Sequence, residues 1–396
     1  MIKAVVIGRN YTSRLGMIRA VGKVGYSVIV VNTTRGKSKD IDAYSRYVSK
    51  YCYAREPDRN ELIKVILSLV SNNSEKIVLI PVDDYAASTI DNNIELLKKH
   101  FLFPHIGMQQ GAINHIMNKD IQKELARNAG LKVTEGWIID IKNHKYTIPS
   151  DIQYPCFPKP QISFLGNKCC MKKCSTETEL RIIVEEVASI ADCPLLVEQY
   201  IEIEKEYGVL GFCIDGKSVT PGIVEKLMIG EGAHKGVTKL GIVTPLKTNK
   251  KLFDSINRFL QSIRLTGLCD IDLYESNGVI YFNELNLRFG AFGYSLFCSG
   301  ANLPKLLIKY LSGESINLAN VDICAKTICL SEKVNFEDYI AGYYGKKEYD
   351  RISNLADFTF LADKDDMKPY KVFCRRSSII VMKSQLKKYI KKILHS

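Results

Sequence analysis

No apolar run in this sequence approaches membrane length. Lys76–Pro81, KIVLIP, is typical of the longest, far short of the roughly 20 residues that a bilayer-crossing helix needs. The 12 cysteines form no metal pattern. Cys169, Cys170 and Cys174 cluster, but no second CxxC or HxxxH group accompanies them, which excludes a zinc site of the usual spacing. Cys213, Cys269, Cys298, Cys324 and Cys329 lie inside apolar segments and read as reduced core residues. Helix-turn-helix, RNA-binding and zinc-finger patterns are missing as well, so no nucleic-acid partner is expected. The first strand-to-helix junction, Gly8–Gly16, lacks the G-x-G-x-x-G spacing of a dinucleotide fingerprint. The N-terminal apolar stretch stops at Gly8 without a small-residue cleavage site, so no leader and a cytoplasmic location are expected.

What is present is a globular composition: 396 residues, 46% hydrophobic and 25% charged, enough for two or three domains. The net charge of +12 biases the chain toward anionic partners. Residues 1–113 alternate strands (Ala4–Ile7, Ser27–Val31, Ile77–Pro81) with helices (Ser13–Val24, Glu61–Val70, Ala86–Lys99), the rhythm of a parallel α/β sheet. Asp83-Asp84-Tyr85, just past the third strand, stands where such sheets meet substrates, although helix capping is an equal reading. Residues 114–317 change character. A Lys119-, Lys123- and Arg127-bearing helix (Asn114–Gly130) leads to a strand that ends in Pro158-Lys159-Pro160. A further helix (Thr176–Ala191) and antiparallel strands with short turns follow, indicating an α+β unit. The prolines flanking Lys159 restrict its backbone and set one cation at the mouth of a pocket. The glycine-rich stretch 231–244 is expected to form a mobile loop over the site.

The most informative stretch is Gly267–Pro304. Cys269–Tyr274 and Val279–Leu285 read as hairpin arms around Glu275-Ser276-Asn277-Gly278. Asp272, Glu284 and Asn286 share a parity within their strands, so a hairpin in register would turn all three to one face. Two carboxylates and an amide oxygen suit a hard cation such as Mg²⁺. Arg288 beside them would neutralise charge developing in phosphoryl or acyl transfer. The plainer alternatives are a polar outer face on the ribbon and, for Arg288, a structural ion pair.

Taken with the upstream order of pieces, Asp272…Glu284-Leu285-Asn286-Leu287-Arg288 resembles the ATP-grasp superfamily over roughly residues 114–315. Within it, Asn283–Arg288 and Gly300-Ala301-Asn302-Leu303-Pro304 look closest to carbamoyl-phosphate-synthase-like ligases and D-aspartate ligases. The resemblance implies a βαβ domain preceding a two-lobed ATP-grasp fold, followed by an extension over 318–396. It implies that Lys119 and Lys159 hold ATP phosphates, with Lys123 one turn along the same helix face as Lys119. Glu198, Gln199, Tyr200 and Ile201 would contact adenine at a hinge. Glu206, in competition with Glu202 and Glu204, would accept the ribose hydroxyls. Asp272, Glu284 and Asn286 would bind Mg²⁺ (or Mn²⁺), and Arg288 would stabilise the transferred phosphoryl group. One departure stands out: the expected phosphate-covering loop, Gln161–Lys173, contains only Gly166, and Lys168, Lys172 and Lys173 are its cations.

By that resemblance the chain is expected to be an ATP-dependent ligase joining a carboxylate to an amine through an acyl phosphate, with an amino-acid or cell-envelope precursor as substrate. A carboxylate kinase, a carbamoyl-phosphate-type enzyme and a degenerate nucleotide sensor or assembly protein are the alternatives. The tail KSQLKKYIKKILHS puts Leu386, Tyr389, Ile390, Ile393 and Leu394 on one stripe and lysines on the other faces. Such a helix either packs its stripe on the body or, over 383–396, touches the inner face of an anionic membrane.

Overall fold

β-Branched, two-sided apolar strands at the N-terminus call for a sheet covered on both faces. In the computed structural model, residues 2–394 are described apart from 35, 37, 38, 71–75, 163–169, 320 and 324, with side chains described as far as residue 381. β1 (Ile2–Gly8), β2 (Ser27–Asn32), β3 (Val48–Tyr53), β4 (Lys76–Pro81) and β5 (Phe101–Leu102) form one parallel sheet in the order β3-β2-β1-β4-β5. The expected strands and the first two helices are present; the helix expected over Ala86–Lys99 is two, Asp84–Asp91 and Ile94–Leu97. β3 was not anticipated: VSKYCY sits at the sheet edge, half exposed, so it lacks the apolar run that marks β1 and β4. Met17, Ile18 and Val21 of the helix Tyr11–Gly22 share one core cluster with Phe212, Leu303 and Leu307 from the large sheet and its covering helix. That continuous core fixes the N-terminal sheet against the rest of the molecule.

The single helix expected over Asn114–Gly130 is two, Ala112–Ile116 and Lys119–Asn128. Asn118 takes the extended N-cap conformation between them, so Lys119 is the first residue of the second helix rather than a mid-helix position. Gly130 adopts φ +84° at its end, the left-handed stop expected there. After the short β6 (His105–Ile106), β7 (Gly136–Ile139), β8 (Cys156–Pro160) and β9 (Leu195–Gln199) form a small antiparallel sheet, order β7-β9-β8. β8 is an edge strand, where its two prolines cost no ladder bond. Ile183 and Val184 of the helix Glu177–Ile190 pack on this sheet together with Cys156, Cys170 and Cys174. These cysteines are buried, as are Cys213, Cys269 and Cys329, whereas Cys298, expected in the core, is exposed at the end of its helix, and Cys324 lies outside the described residues.

The large sheet contains β10 (Lys205–Ile214), β11 (Lys217–Ile229), β12 (Thr238–Pro245), β13 (Leu265–Ser276), β14 (Val279–Asn286), β15 (Thr327–Leu330) and β16 (Phe358–Thr359), ordered β14-β13-β10-β11-β12-β15-β16 with β6 paired to β13. The helix Lys250–Ile263 buries Ile256, Phe259, Leu260 and Ile263 against it. The stretch 231–244, expected as a loop, is largely β12; its glycine-rich start forms a single 3₁₀ turn, Gly232–His234. That turn is tied to the helix Glu332–Ala341 by His234–Glu337 (2.6 Å) and by the Glu231 amide donating to Asp338 (3.2 Å). The last helix, Lys368–Leu394, packs Phe373 against Leu15, Ile41 and Phe336. The amphipathic stripe over 383–396 lies outside the described side chains. Among the described residues no helix is long and apolar enough to cross a membrane.

Candidate functional site

The site grows out of the β13–β14 hairpin, and one extra residue sets its geometry. Asn277 and Gly278 take φ +50° and +70°, the two-residue turn that Asn-Gly favours, and Ser276 pairs with Val279 across it. An unbroken ladder from that turn would set Asn283 opposite Asp272 and turn Glu284 to the side of Ile271, which is fully buried in the core. Instead the register shifts between Asp272 and Leu273, and Asn283 is the inserted bulge residue: Asp272 faces Glu284 and Asp270 faces Asn286. The shared face expected from strand parity exists because of this bulge. Asn286 donates to Asp272 at 3.3 Å. Asp270, of the same parity as Asp272, completes the set and was readable from the alternation, but was not singled out.

Three cations meet these carboxylates. Lys119 lies 3.4 Å from Glu284, Lys226 3.5 Å from Asp272, and Arg288 3.5 Å from Asp270. Burial and the neighbouring Asp272 push the Asp270 carboxyl up to about 7; burial, with Glu284 adding repulsion, pushes Asp272 up as well. Lys226, on β11, also bonds Glu206 at 2.8 Å, and these two carboxylates outweigh burial to raise its pKa. Sequence reasoning missed Lys226, since a lone lysine in a strand carries no spacing signal. It explains why Glu206 is the acidic residue of its segment directed into the cleft: Glu202 accepts from the Tyr200 hydroxyl, and Glu204 accepts the Asn277 amide at the hairpin turn.

The facing wall comes from the small sheet and the helix Lys119–Asn128. Lys119, Lys123 and Lys159 are each 4% exposed, and Glu198 is 9% exposed. Glu198 accepts from Lys123 at 2.6 Å and pairs with Lys159 at 2.9 Å. Burial alone would raise the Glu198 carboxyl, but Lys159 and Lys123 together hold it below its usual range. Lys159 also donates to Asn283 Oδ1 at 3.0 Å, and Asn283 in turn donates to the Tyr274 hydroxyl at 2.9 Å. The bulge residue thus ties the small sheet to the large one. Gln122 fastens the same helix to the edge strand β14 by exchanging two 2.8 Å bonds with the Leu285 backbone.

At the hinge, the Gln199 and Tyr200 amides are already bonded to the carbonyls of Glu135 (3.0 Å) and Pro155 (2.9 Å). Of the four residues expected to contact adenine, Glu198 turns its side chain to the lysines, and Ile201 is the one past the strand with no backbone acceptor for its amide among the described residues. Lys173 stands 4.4 Å over the Tyr200 ring. Residues 163–169 of the glycine-poor loop, with Gly166 and Lys168, lie outside the described residues.

Whether this set fits a divalent cation is decided by its donors. All are hard oxygens, on paired strands of one face, with more negative charge than their mutual repulsion tolerates in a buried setting. They fit Mg²⁺. Among the described residues no three His, Cys, Asp or Glu side chains are grouped so as to hold a metal ion; Lys119, Lys226 and Asn286 contact the carboxylates Glu284 and Asp272.

Comparison with known proteins agrees with this architecture. Residues 126–306 match a family model described as the D-ala D-ala ligase C-terminus. The C-terminal section of the carbamoyl phosphate synthase large chain of Methanocaldococcus jannaschii is 23% identical over 257 residues, 63% of this chain and 41% of that protein. A D-alanine–D-alanine ligase of Campylobacter lari is 26% identical over 235 residues, 57% of this chain and 65% of that protein. The chain therefore spans between about two fifths and two thirds of these relatives. Among solved structures, a biotin carboxylase complex from Campylobacter jejuni superposes with a TM-score of 0.63 at 18% identity, covering 82% of this chain and 74% of that one. An L-amino acid ligase from Bacillus licheniformis gives 0.60 at 14% identity, covering 83% and 79%. With its N-terminal parallel sheet, small antiparallel sheet and large sheet in this order, the chain shares the fold of these solved structures, and its residues 126–306 are similar to the D-ala D-ala ligase C-terminus.

Proposed function

We propose that the protein is an ADP-forming, ATP- and Mg²⁺-dependent carboxylate–amine ligase. The observation that carries this reading is the juxtaposition of three buried lysines on one wall with an acidic, bulge-aligned hairpin face on the other. Three ammonium groups against the one carboxylate of their own wall, Glu198, suit a polyphosphate, and the hairpin's oxygens suit its counter-cation.

Lys119 and Lys159 hold the phosphates of ATP, and Lys226 stands between the phosphate and ribose ends. The hinge Glu198, Gln199, Tyr200 and Ile201 borders adenine, with the Ile201 amide as its donor, and Glu206 accepts the ribose hydroxyls. Asp272, Glu284 and Asn286 hold Mg²⁺ (or Mn²⁺), which when bound neutralises phosphate oxygens. The substrate carboxylate attacks the γ-phosphorus, giving an acyl phosphate and ADP. Arg288 neutralises the charge that develops on the transferring group. An amine then attacks the acyl carbon and phosphate leaves, forming the amide. Fixing both reactants in one cleft is the protein's main contribution.

We infer a cytoplasmic enzyme whose substrates are an amino acid and a cell-envelope precursor, with the 383–396 helix at the inner membrane face. The D-alanine–D-alanine ligases among its relatives and the lysine-rich tail support this. The test is ADP release from Mg·ATP across a panel of carboxylic acids with hydroxylamine as the trapping amine. Hydroxamate and ADP should form one to one. Tight nucleotide binding without ADP release for any acid would overturn the ligase reading in favour of a sensor.

A further inference from the structure

Asp84 belongs to the N-terminal sheet, yet it reaches the hairpin. It follows β4 as the first residue of the helix Asp84–Asp91, at the carboxyl end of a parallel sheet where ligands gather. Its Oδ1 lies 3.3 Å from Nε of Arg288, whose Nη1 is 3.5 Å from Asp270. Arg288 is thereby held from two sides, by the N-terminal sheet and by β13. Among the described residues, Asp84 Oδ2 has no hydrogen-bond donor and Arg288 Nη2 has no acceptor. Both side chains keep about a fifth of their surface open, 22% for Asp84 and 19% for Arg288. Neighbouring Asp83 is differently employed: it accepts the Arg9 and Ala86 amides at 2.6 and 2.8 Å, which fixes the loop and caps the helix. Asp84 is the member of the pair that faces the site.

An acid and a base standing side by side, each with unfilled bonding capacity, match a ligand that carries an ammonium and a carboxylate on one carbon. A simple carboxylate would satisfy Arg288 but place its own charge against Asp84. An α-amino acid answers both, its carboxylate on Arg288 and its ammonium on Asp84. We propose that Asp84 and Arg288 together seat the ammonium and carboxylate of an α-amino acid, which is the acid substrate of the reaction. This rests on the ligase reading in one respect: the seated carboxylate is the one that attacks ATP. Asp84 then determines the substrate class, and the N-terminal sheet is part of the substrate site rather than a passive neighbour.

The experiment uses the full chain and matched pairs differing only in the amino group: alanine with propionate, aspartate with succinate, glutamate with glutarate, each amino acid as both enantiomers. Hydroxamate formation with hydroxylamine is the readout. For at least one pair the amino acid should exceed its des-amino partner by tenfold to a hundredfold or more in kcat/KM, about the worth of a hydrogen bond to a charged group. Asp84→Asn should collapse that preference, raising KM for the amino acid about tenfold or more with KM for ATP unchanged. Equal use of amino and des-amino acids by the unaltered protein would overturn the proposal. So would an Asp84→Asn variant that slows both partners equally, since that means Asp84 only orients Arg288. Should no acid support turnover, calorimetric titration of the same pairs into the protein with Mg²⁺ and a non-hydrolysable ATP analogue separates the two readings. Amino-acid-selective binding lost in Asp84→Asn upholds the seat while the ligase reading falls, and absence of binding by every amino acid overturns the seat itself.

Discussion

Glu198 holds two buried ammonium groups apart, so replacing it by glutamine tests the electrostatics of the cleft directly. Glutamine keeps the shape and one acceptor oxygen but removes the charge that Lys123 and Lys159 share at 2.6 and 2.9 Å. Attraction in each pair is about 6 kcal/mol at an effective dielectric near 20, most of it offset by the desolvation of all three groups. What is lost on removing one partner of a buried pair is about 3–5 kcal/mol, the cost of leaving charge uncompensated. Local opening is the right measure, because a chain with three sheets need not unfold in one step. Hydrogen exchange of the β8 and β9 amides, 156–160 and 195–199, should lose protection by roughly 10²- to 10⁴-fold at pH 7 in Glu198→Gln. Burial already holds Lys123 below the usual lysine range. Removing its counter-charge lowers it further, so the deficit grows as pH falls below the unfolded lysine value of about 10.4 and shrinks as pH rises toward it. A non-hydrolysable ATP analogue should restore much of the protection by supplying the missing negative charge. Unchanged protection, or protection that the analogue does not recover, would refute the claim that these lysines form an under-compensated anion cradle.

Glu284→Ala should abolish Mg²⁺-dependent turnover while far-ultraviolet circular dichroism stays unchanged; undiminished activity would remove Glu284 from the metal face. Asp366→Ala strips the fully buried partner of Arg19 (3.0 Å), which also accepts from Ser45 and the Arg46 amide. It should lower stability by about 3–5 kcal/mol in urea denaturation, with no change in the ATP affinity of the protein that remains folded. Deleting residues 383–396 should reduce binding to vesicles containing phosphatidylserine, each of the lysines having contributed about 1 kcal/mol; unchanged vesicle binding would end the membrane reading of that helix.

The N-terminal sheet was legible because its strands are buried on both faces, so their apolar runs are continuous. β3 was not, because an edge strand that shows half its surface to water needs no such run. In the hairpin, alternation and the Asn-Gly turn were each readable, and read together they conflict. A two-residue turn with an unbroken ladder sends Glu284 to the core, whereas parity of the polar residues sends it to the cleft. Only an inserted residue reconciles them, and Asn283 is polar at the position that must leave the ladder. The bulge was therefore implied by the sequence, though its bonds to Lys159 and Tyr274 were not, since they cross between sheets. Lys226 was opaque for the same reason, and so was the pairing of Asp84 with Arg288, although the position of Asp84 just past the third strand was readable: each pairs with a partner from another part of the chain.

The cleft in this structure is paired with itself. Lys119 rests on Glu284, Lys226 on Asp272 and Glu206, Arg288 on Asp270 and Asp84. Neither a polyphosphate nor a divalent cation can take its place without displacing some of these pairs. A polyphosphate arriving alone would draw the lysines off and leave the carboxylates exposed to one another. A cation arriving alone would do the reverse and strand the lysines. Arriving together, each ligand supplies the charge that the other displaces, so their binding free energies must be coupled. The positive coupling implied is of the size of the pairs exchanged, and it is reciprocal. Nucleotide should tighten Mg²⁺ binding by the same factor as Mg²⁺ tightens nucleotide binding, and Glu284→Ala, by removing one exchanged pair, should weaken that coupling more than it weakens nucleotide binding alone.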